Sequence, residues 1–364
     1  MPLPDLFALP DLPVRAVLGA VTDALAAHGN AVLVAPPGTG KTTLVPLALA
    51  SDRGRVLVAE PRRLATRAAA ARMAALLGEP VGKTVGYAVR GDSRGSARTR
   101  IEVVTSGLLL RRLMADPELA GVNTVLLDEC HERHLDADLL LALLLDARAG
   151  LRPDLRLLAT SATVATDRLT ELLDRAPVLT VEARMFPVTT RHIPPVRGER
   201  IETCVAGAVR TALREDDGDV LAFLPGVPEI RRTAALLTDL TDVDVLPMHG
   251  RMPAAEQDRA LAPGPRRRVV LSTAVAESSL TVPGVRAARA TQVSMRSPRA
   301  GGRCRVVTGN IRASTRNTGA PPSSSVSRSV ATVAEVASSR RSGRSPARAS
   351  SSSASSRSAS RCRS

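Results

Sequence analysis

Short apolar blocks alternate with stretches of helical spacing along most of the chain. Ala31–Ala35, Val56–Ala59, Ile101–Val104, Thr124–Leu127 and Leu155–Ala159 read as buried strands. Between them lie helical stretches: residues 14–28 started by Pro13, residues 44–50, and a long Ala/Arg segment after Pro61. Strand and helix in alternation predict an α/β fold, with a parallel sheet covered by helices on both faces. A turn-rich stretch, Arg175–Pro187, precedes a second series with strands at Val188–His192, Val220–Phe223, Val243–Pro247 and Arg268–Ser272. The alternation stops near Arg286. The expected organisation is a first domain over 1–174, a linker over 175–187, a partial second domain over 188–286, and a disordered tail over 287–364. In so short a second domain, Arg268–Ser272 would be left at an exposed sheet edge.

Charge sharpens that boundary. The formal net charge is +15, yet residues 287–364 hold fifteen Arg and one acid, Glu335, so the first 286 residues carry only +1. The tail has no aromatic residue and few large aliphatics, so it buries too little to fold. It reads either as a basic Ser/Arg arm or as an out-of-frame translation of a GC-rich gene. The abrupt change in mid-domain favours the second. Lys occurs only at Lys41 and Lys83. The four cysteines are widely spaced and form no CxxC pair, which argues against a disulfide framework or a zinc ribbon. With no signal peptide and no long apolar run, the expectation is a soluble, cytoplasmic monomer without membrane contact.

The chemistry gathers at strand ends. Ala35-Pro-Pro-Gly-Thr-Gly-Lys-Thr-Thr43 follows a strand and opens a helix, the arrangement of a phosphate-binding loop. Gly38 and Gly40 let backbone N–H groups turn inward, with Pro37, Thr39 and Thr43 completing the cradle. Lys41 neutralises the β- and γ-phosphates of ATP, and the Thr42 hydroxyl ligates Mg2+. Asp128-Glu-Cys-His-Glu-Arg133 ends another strand. Asp128 would hold the Mg2+ shell and Glu129 would orient and deprotonate an attacking water. Two other readings of this segment are a solvated helix N-terminus and a metal site from Cys130, His131 and His134. The two histidines are three apart rather than the four that HExxH requires.

Further segments occur in a fixed order: Glu60-Pro-Arg-Arg-Leu-Ala-Thr-Arg67, Thr105-Ser-Gly-Leu-Leu-Leu110, Ser161-Ala-Thr163, Phe223-Leu-Pro-Gly226, Pro247-Met-His-Gly250 and the thirteen-residue run from Ser272 to Gly284. Together with the phosphate loop and the acid box they resemble the DEAH/DECH-box group of superfamily 2 helicases, most of all the bacterial HrpB-type group, over about residues 10–286. The resemblance implies two RecA-like domains, the second incomplete, and ATP hydrolysis coupled to translocation on nucleic acid, RNA rather than DNA. It implies that His131 senses the γ-phosphate and that Ser161 and Thr163 link phosphate loss to domain movement. Arg62, Arg63 and Thr105 would touch the nucleic-acid backbone from the first domain, and Thr273, Ser279 and Thr281 would serve from the second. Ala274 stands where such proteins carry Asn. Aromatics are confined to Phe7, Tyr87, Phe186 and Phe223, so a base-stacking platform is not expected and contacts should go to phosphate and sugar.

The resemblance also implies a Gln-x-x-Gly-Arg-x-Gly-Arg segment carrying arginine fingers. Residues 287–364 contain none, Ser342-Gly-Arg344 being the nearest string. The chain is therefore expected to be an impaired motor. The alternative is a nucleotide- and nucleic-acid-binding fragment that does not hydrolyse ATP. A small-molecule P-loop kinase, a third reading, has no use for the Ser161–Thr163 and Ser272–Gly284 segments.

Overall fold

A computed structural model describes residues 10–50, 54–163, 166–182, 188–193, 198–215, 217–276, 285–293 and 304–311. Ser279 and Thr281 lie outside these residues. Strands β1 (Asn30–Val34), β2 (Arg55–Glu60), β3 (Val85–Val89), β4 (Asp92–Arg94), β5 (Ile101–Thr105), β6 (Val122–Leu127), β7 (Arg156–Ser161) and β8 (Val178–Thr180) form one sheet. Its order is β4-β3-β5-β2-β6-β7-β1-β8, and only the β3–β4 hairpin is antiparallel. Successive side chains of a strand face opposite ways, so the sequence alternation builds two cores. Leu33, Val58, Val103 and Leu126 bury one face under helices α1 (Leu18–His28), α2 (Lys41–Leu49) and α3 (Arg63–Leu76), through Leu25, Leu44 and Met73. Val32, Leu57, Val104 and Val125 bury the other under α4 (Ser106–Ala115) and α5 (Leu135–Gly150), through Leu109, Leu140 and Leu144. A short helix, α6 (Asp167–Leu172), precedes β8.

The second sheet holds β9 (Val188–Ile193), β10 (Asp219–Phe223), β11 (Val243–Met248), β12 (Arg267–Ser272), β13 (Val285–Val293) and β14 (Cys304–Ile311), in the order β11-β12-β10-β13-β14-β9. Helix α7 (Ile201–Glu215) and helix α8 (Val227–Ala235) cover one face through Val205, Val209 and Ile230. Helix α9 (Ala254–Leu261) lies on the other through Ala260. The same cluster takes in Leu64 and Ala65 from the start of α3, beside Phe223, Met248 and Val270. The two sheets thus share an apolar seam. A hydrogen bond from Arg67 Nη2 to Gln257 Oε1, 2.9 Å, borders it.

Three expectations are corrected. Arg267–Ser272 is not an edge strand: it lies between β11 and β10, parallel to both, and the edge position falls to β11. A buried ion pair pins it there, Arg268 giving Nε and Nη2 to Asp219 Oδ2 of β10 at 2.9 and 2.6 Å. The stretch read as a linker, 175–187, contains β8, which pairs with β1 inside the first sheet. The backbone of the second sheet also continues past 286 into β13 and β14, so the whole of 287–364 is not without structure; β14 runs antiparallel to both β13 and β9. Short polar-flanked strands carry a weak periodic signal, which is why β3, β4 and β8 are not evident in the sequence.

Candidate functional site

Parallel register brings the motif residues to one rim. Val34 of β1 pairs with Ser161 of β7, and Glu60 of β2 pairs with Thr105 of β5. Each chain segment leaves its strand there, at the carboxyl end where open α/β sheets place ligands. The loop after β1 turns through Gly38 at φ +75° and Gly40 at φ +97°. Gly40 needs its missing side chain twice over: that φ strains any L-residue, and a Cβ would come within 2.8 Å of Leu12 Cδ1. The Gly40 carbonyl then accepts from the Thr43 and Leu44 N–H groups, starting α2. The N–H groups of that first turn point back toward the loop, as an anion requires.

Lys41, the first residue of α2, is 4 % exposed and its Nζ lies 2.9 Å from Glu129 Oε1. The angle is poor for a hydrogen bond, so Nζ has charge compensation but no aligned acceptor. Burial lowers the lysine's pKa, but the carboxylates of Glu129 and Asp128 more than offset this and hold it above the usual lysine range. Thr42 Oγ1 donates to Asp128 Oδ2 at 2.5 Å, and the Thr160 hydroxyl and the Glu129 N–H donate to Oδ1. Burial would raise the Asp128 pKa; Lys41 and the two hydroxyls overcome it, and the group stays ionised below its usual range.

Glu129 and Arg133 bracket a single turn of 3-10 helix, Cys130–Glu132, and both have φ near +55°. For residues with a Cβ this conformation costs on the order of 1 kcal/mol each. It turns the Glu129 carboxylate back toward Lys41. His131 Nδ1 accepts from the Ala162 N–H at 3.3 Å, tying the acid box to the loop after β7. Burial, with Lys41 adding to it, lowers the His131 pKa, so the ring is neutral at pH 7 and Nδ1 is free to accept. Ser161 Oγ accepts from the Thr163 N–H at 3.2 Å, closing that loop on itself. His134 Nε2 turns away to Glu132 Oε2 at 2.6 Å, and burial pushes the Cys130 thiol up to about 12. Cys130, His131 and His134 therefore do not converge as a metal site.

Of the residues assigned to nucleic acid, Arg62, Arg63 and Thr105 follow strands of the first sheet at this rim, and Thr273 follows a strand of the second. Arg62 precedes α3, and its Nη1 lies 3.1 Å from Glu132 Oε1; Arg63 beside it is exposed. Thr105 ends β5 and is half-buried. Thr273 follows β12, and its N–H donates to the Met248 carbonyl at 3.2 Å.

Three participants were not evident in the sequence. Thr160 donates to Asp128 from β7, and Glu132 holds Arg62. Glu60, fully buried at the end of β2, has no donor for either carboxylate oxygen. Burial, then the charges of Asp128 and Glu129, pushes its pKa well above the ordinary glutamate range. As a carboxylic acid it becomes a donor to Asp128, which resolves the missing partner. Its place at the strand end, before Pro61, was the one available signal.

Comparison with known proteins agrees with the geometry. Residues 18–172 match the DEAD/DEAH box helicase family and residues 202–292 the helicase conserved C-terminal domain. The chain is 47% identical over 282 residues to ATP-dependent RNA helicase HrpB of Escherichia coli (strain K12), which covers 76% of this chain and 35% of HrpB. It is 35% identical over 294 residues to ATP-dependent RNA helicase HrpA of the same organism, covering 78% of this chain and 22% of HrpA. The crystal structure of Escherichia coli DEAH/RHA helicase HrpB superposes with a TM-score of 0.71 at 42% identity, over 88% of this chain and 41% of that one. The chain thus spans about a third of the length of HrpB. In sequence, in fold and in the order of its strand-end segments, the chain belongs to the DEAH-box family of superfamily 2 helicases.

Proposed function

We propose that this chain carries the nucleotide-driven core of an RNA helicase, in which ATP hydrolysis drives movement along an RNA strand. The observation that carries the reading is the buried Lys41–Glu129 contact beside the Thr42–Asp128 hydrogen bond. A fixed lysine without an aligned acceptor fits an incoming phosphate. The adjacent hydroxyl and carboxylate oxygens fit a hard divalent cation such as Mg2+, which would neutralise phosphate charge when bound. Lys41 moves its charge from Glu129 to the β- and γ-phosphates, which frees the Glu129 carboxylate to orient water and accept its proton. His131, neutral and bonded to Ala162, conveys the state of the phosphate site to the Ser161–Thr163 loop. Arg62, Arg63 and Thr105, with Thr273, Ser279 and Thr281 from the second domain, hold the RNA backbone.

Residues 287–364 hold no Gln-x-x-Gly-Arg-x-Gly-Arg segment. An arginine on the transferred phosphoryl group is worth about a thousandfold or more in rate, so this chain binds ATP and hydrolyses it slowly at best. The same absence favours the second reading, a nucleotide- and RNA-binding fragment without turnover. The test is ATP binding by calorimetry with RNA-stimulated phosphate release on one preparation of residues 1–364. Equal ATP affinity in the wild type and Lys41→Ala overturns the nucleotide site. ATP-driven unwinding of a tailed duplex that Lys41→Ala abolishes overturns the impairment.

A further inference from the structure

The phosphate loop is braced from behind by the residues that precede α1. Pro13–Val17 forms a short 3-10 helix, started by Pro13, whose ring fixes φ. The Leu12 N–H donates to the Pro10 carbonyl and the Arg15 N–H to the Leu12 carbonyl, both at 2.9 Å. Val14 is fully buried in the cluster that holds Leu18 of α1 with Leu44 and Val45 of α2, and Leu12 packs on the edge of that cluster. The segment is therefore anchored to the helix before the loop and to the helix after it. Two contacts run from it to the loop. The Val14 N–H donates to the Thr39 carbonyl at 3.1 Å. A Cβ on Gly40 would meet Leu12 Cδ1 at 2.8 Å and Val14 Cγ1 at 3.2 Å, so both side chains press on the glycine.

The Thr39 carbonyl and the Gly40 N–H belong to one planar trans peptide and point in opposite directions. A carbonyl turned toward Val14 sends the Gly40 N–H the other way, away from the brace. That N–H finds no acceptor among the described residues. Thr39 itself is fully buried, and its Oγ1 donates to the Pro36 carbonyl at 2.7 Å. The loop thus spends its other hydrogen bonds on its own shape and leaves the glycine amide for an anion. We infer that Leu12 and Val14 are positioning residues for the nucleotide, holding the Thr39–Gly40 peptide so that its N–H faces the phosphates before any nucleotide arrives. Neither residue has to touch the ligand. Glycine loses more backbone freedom on ordering than any other residue, and a loop ordered in advance spares the ligand that cost. The inference rests on the nucleotide reading above and adds to it the source of the loop's shape.

The test uses the full chain with Mg2+ and two probes, a fluorescent ADP and inorganic pyrophosphate as its competitor. Wild type is compared with Leu12→Ala, with Leu12→Met, which restores the bulk, and with Lys41→Ala. Leu12→Ala should weaken ADP and pyrophosphate by the same factor, about fivefold or more, the cost of ordering about one backbone residue. Leu12→Met should recover most of that loss. A loss confined to ADP would mean a contact with the base and overturns the positioning role. Wild-type ADP affinity in Leu12→Ala, with Lys41→Ala weakened, overturns it as well and leaves the nucleotide reading standing. If Lys41→Ala also binds as wild type does, the nucleotide reading falls and this inference with it. Hydrogen exchange of the wild type, read by fragmentation mass spectrometry, depends on no variant. The Val14 amide should be protected with and without ADP, and the Gly40 amide only with it. Rapid exchange at Val14, or a Gly40 amide already protected without ADP, overturns the brace even where Leu12→Ala fails to fold.

Discussion

Lys41 Nζ and Glu129 Oε1 stand 2.9 Å apart with side chains only 4% and 5% exposed, a cation and an anion taken out of water to face one another across the phosphate loop. In the sequence Lys41 looks like a loop residue whose replacement leaves the fold untouched. The structure makes it the counter-charge of two acids, Glu129 and Asp128.

Lys41→Ala should therefore lose more than ATP affinity. Breaking a buried pair leaves an uncompensated charge and costs about 3 kcal/mol. Urea denaturation should show that loss in Lys41→Ala and partial recovery in Lys41→Ala/Glu129→Gln, whereas neither variant should regain ATP binding. Equal stability of wild type and Lys41→Ala would show that the contact carries no weight.

In a full-length relative that carries the Gln-x-x-Gly-Arg-x-Gly-Arg segment missing from residues 287–364, the substitution equivalent to Glu129→Gln should keep ATP binding and lose turnover. The amide preserves size and can still face Lys41, but it cannot accept the water's proton. A general base contributes about a hundredfold or more. Phosphate release by that variant at the rate of its parent would assign the base to another residue.

Stability should fall with pH above the ordinary glutamate range near 4.5, because of Glu60. Its folded pKa is raised, so between 4.5 and that raised value the folded state holds a proton that the unfolded state has released. The stabilisation is complete below 4.5 and is lost as pH rises through the folded value. Asp128 acts in the opposite sense: its folded pKa is lowered, and its contribution is lost only in acid. Glu60→Gln imitates the protonated form and should remove the alkaline decline, leaving the variant more stable than wild type at pH 8. Parallel stability–pH curves would exclude a protonated Glu60.

Arg67 and Gln257 should be coupled across the seam between the sheets. Their hydrogen bond involves a charged donor, worth about 1.5 kcal/mol or more. A double-mutant cycle of Arg67→Ala and Gln257→Ala should return a coupling of about 1 kcal/mol in denaturant unfolding. A coupling of zero would mean that the seam rests on Leu64, Ala65 and their apolar partners alone.

The sequence by itself determined the α/β class, the strands that carry the chemistry, the phosphate loop and the acid box. Those signals are local: a strand, a Gly-bearing turn and a helix in succession place Gly38, Gly40 and Lys41 at one strand end, and Asp128-Glu129 announces itself at another. Only the tertiary structure decided which of these meet. Thr42 and Asp128 are 86 residues apart, and parallel pairing across separate strands joins them. The same pairing brought Thr160 to Asp128 and sank Glu60 among carboxylates, giving an ordinary-looking acid an unusual protonation state. It also moved Arg267–Ser272 from the expected edge to the interior of its sheet, between β11 and β10. Strand order and burial arise from contacts between distant segments, and no window along the chain contains both partners.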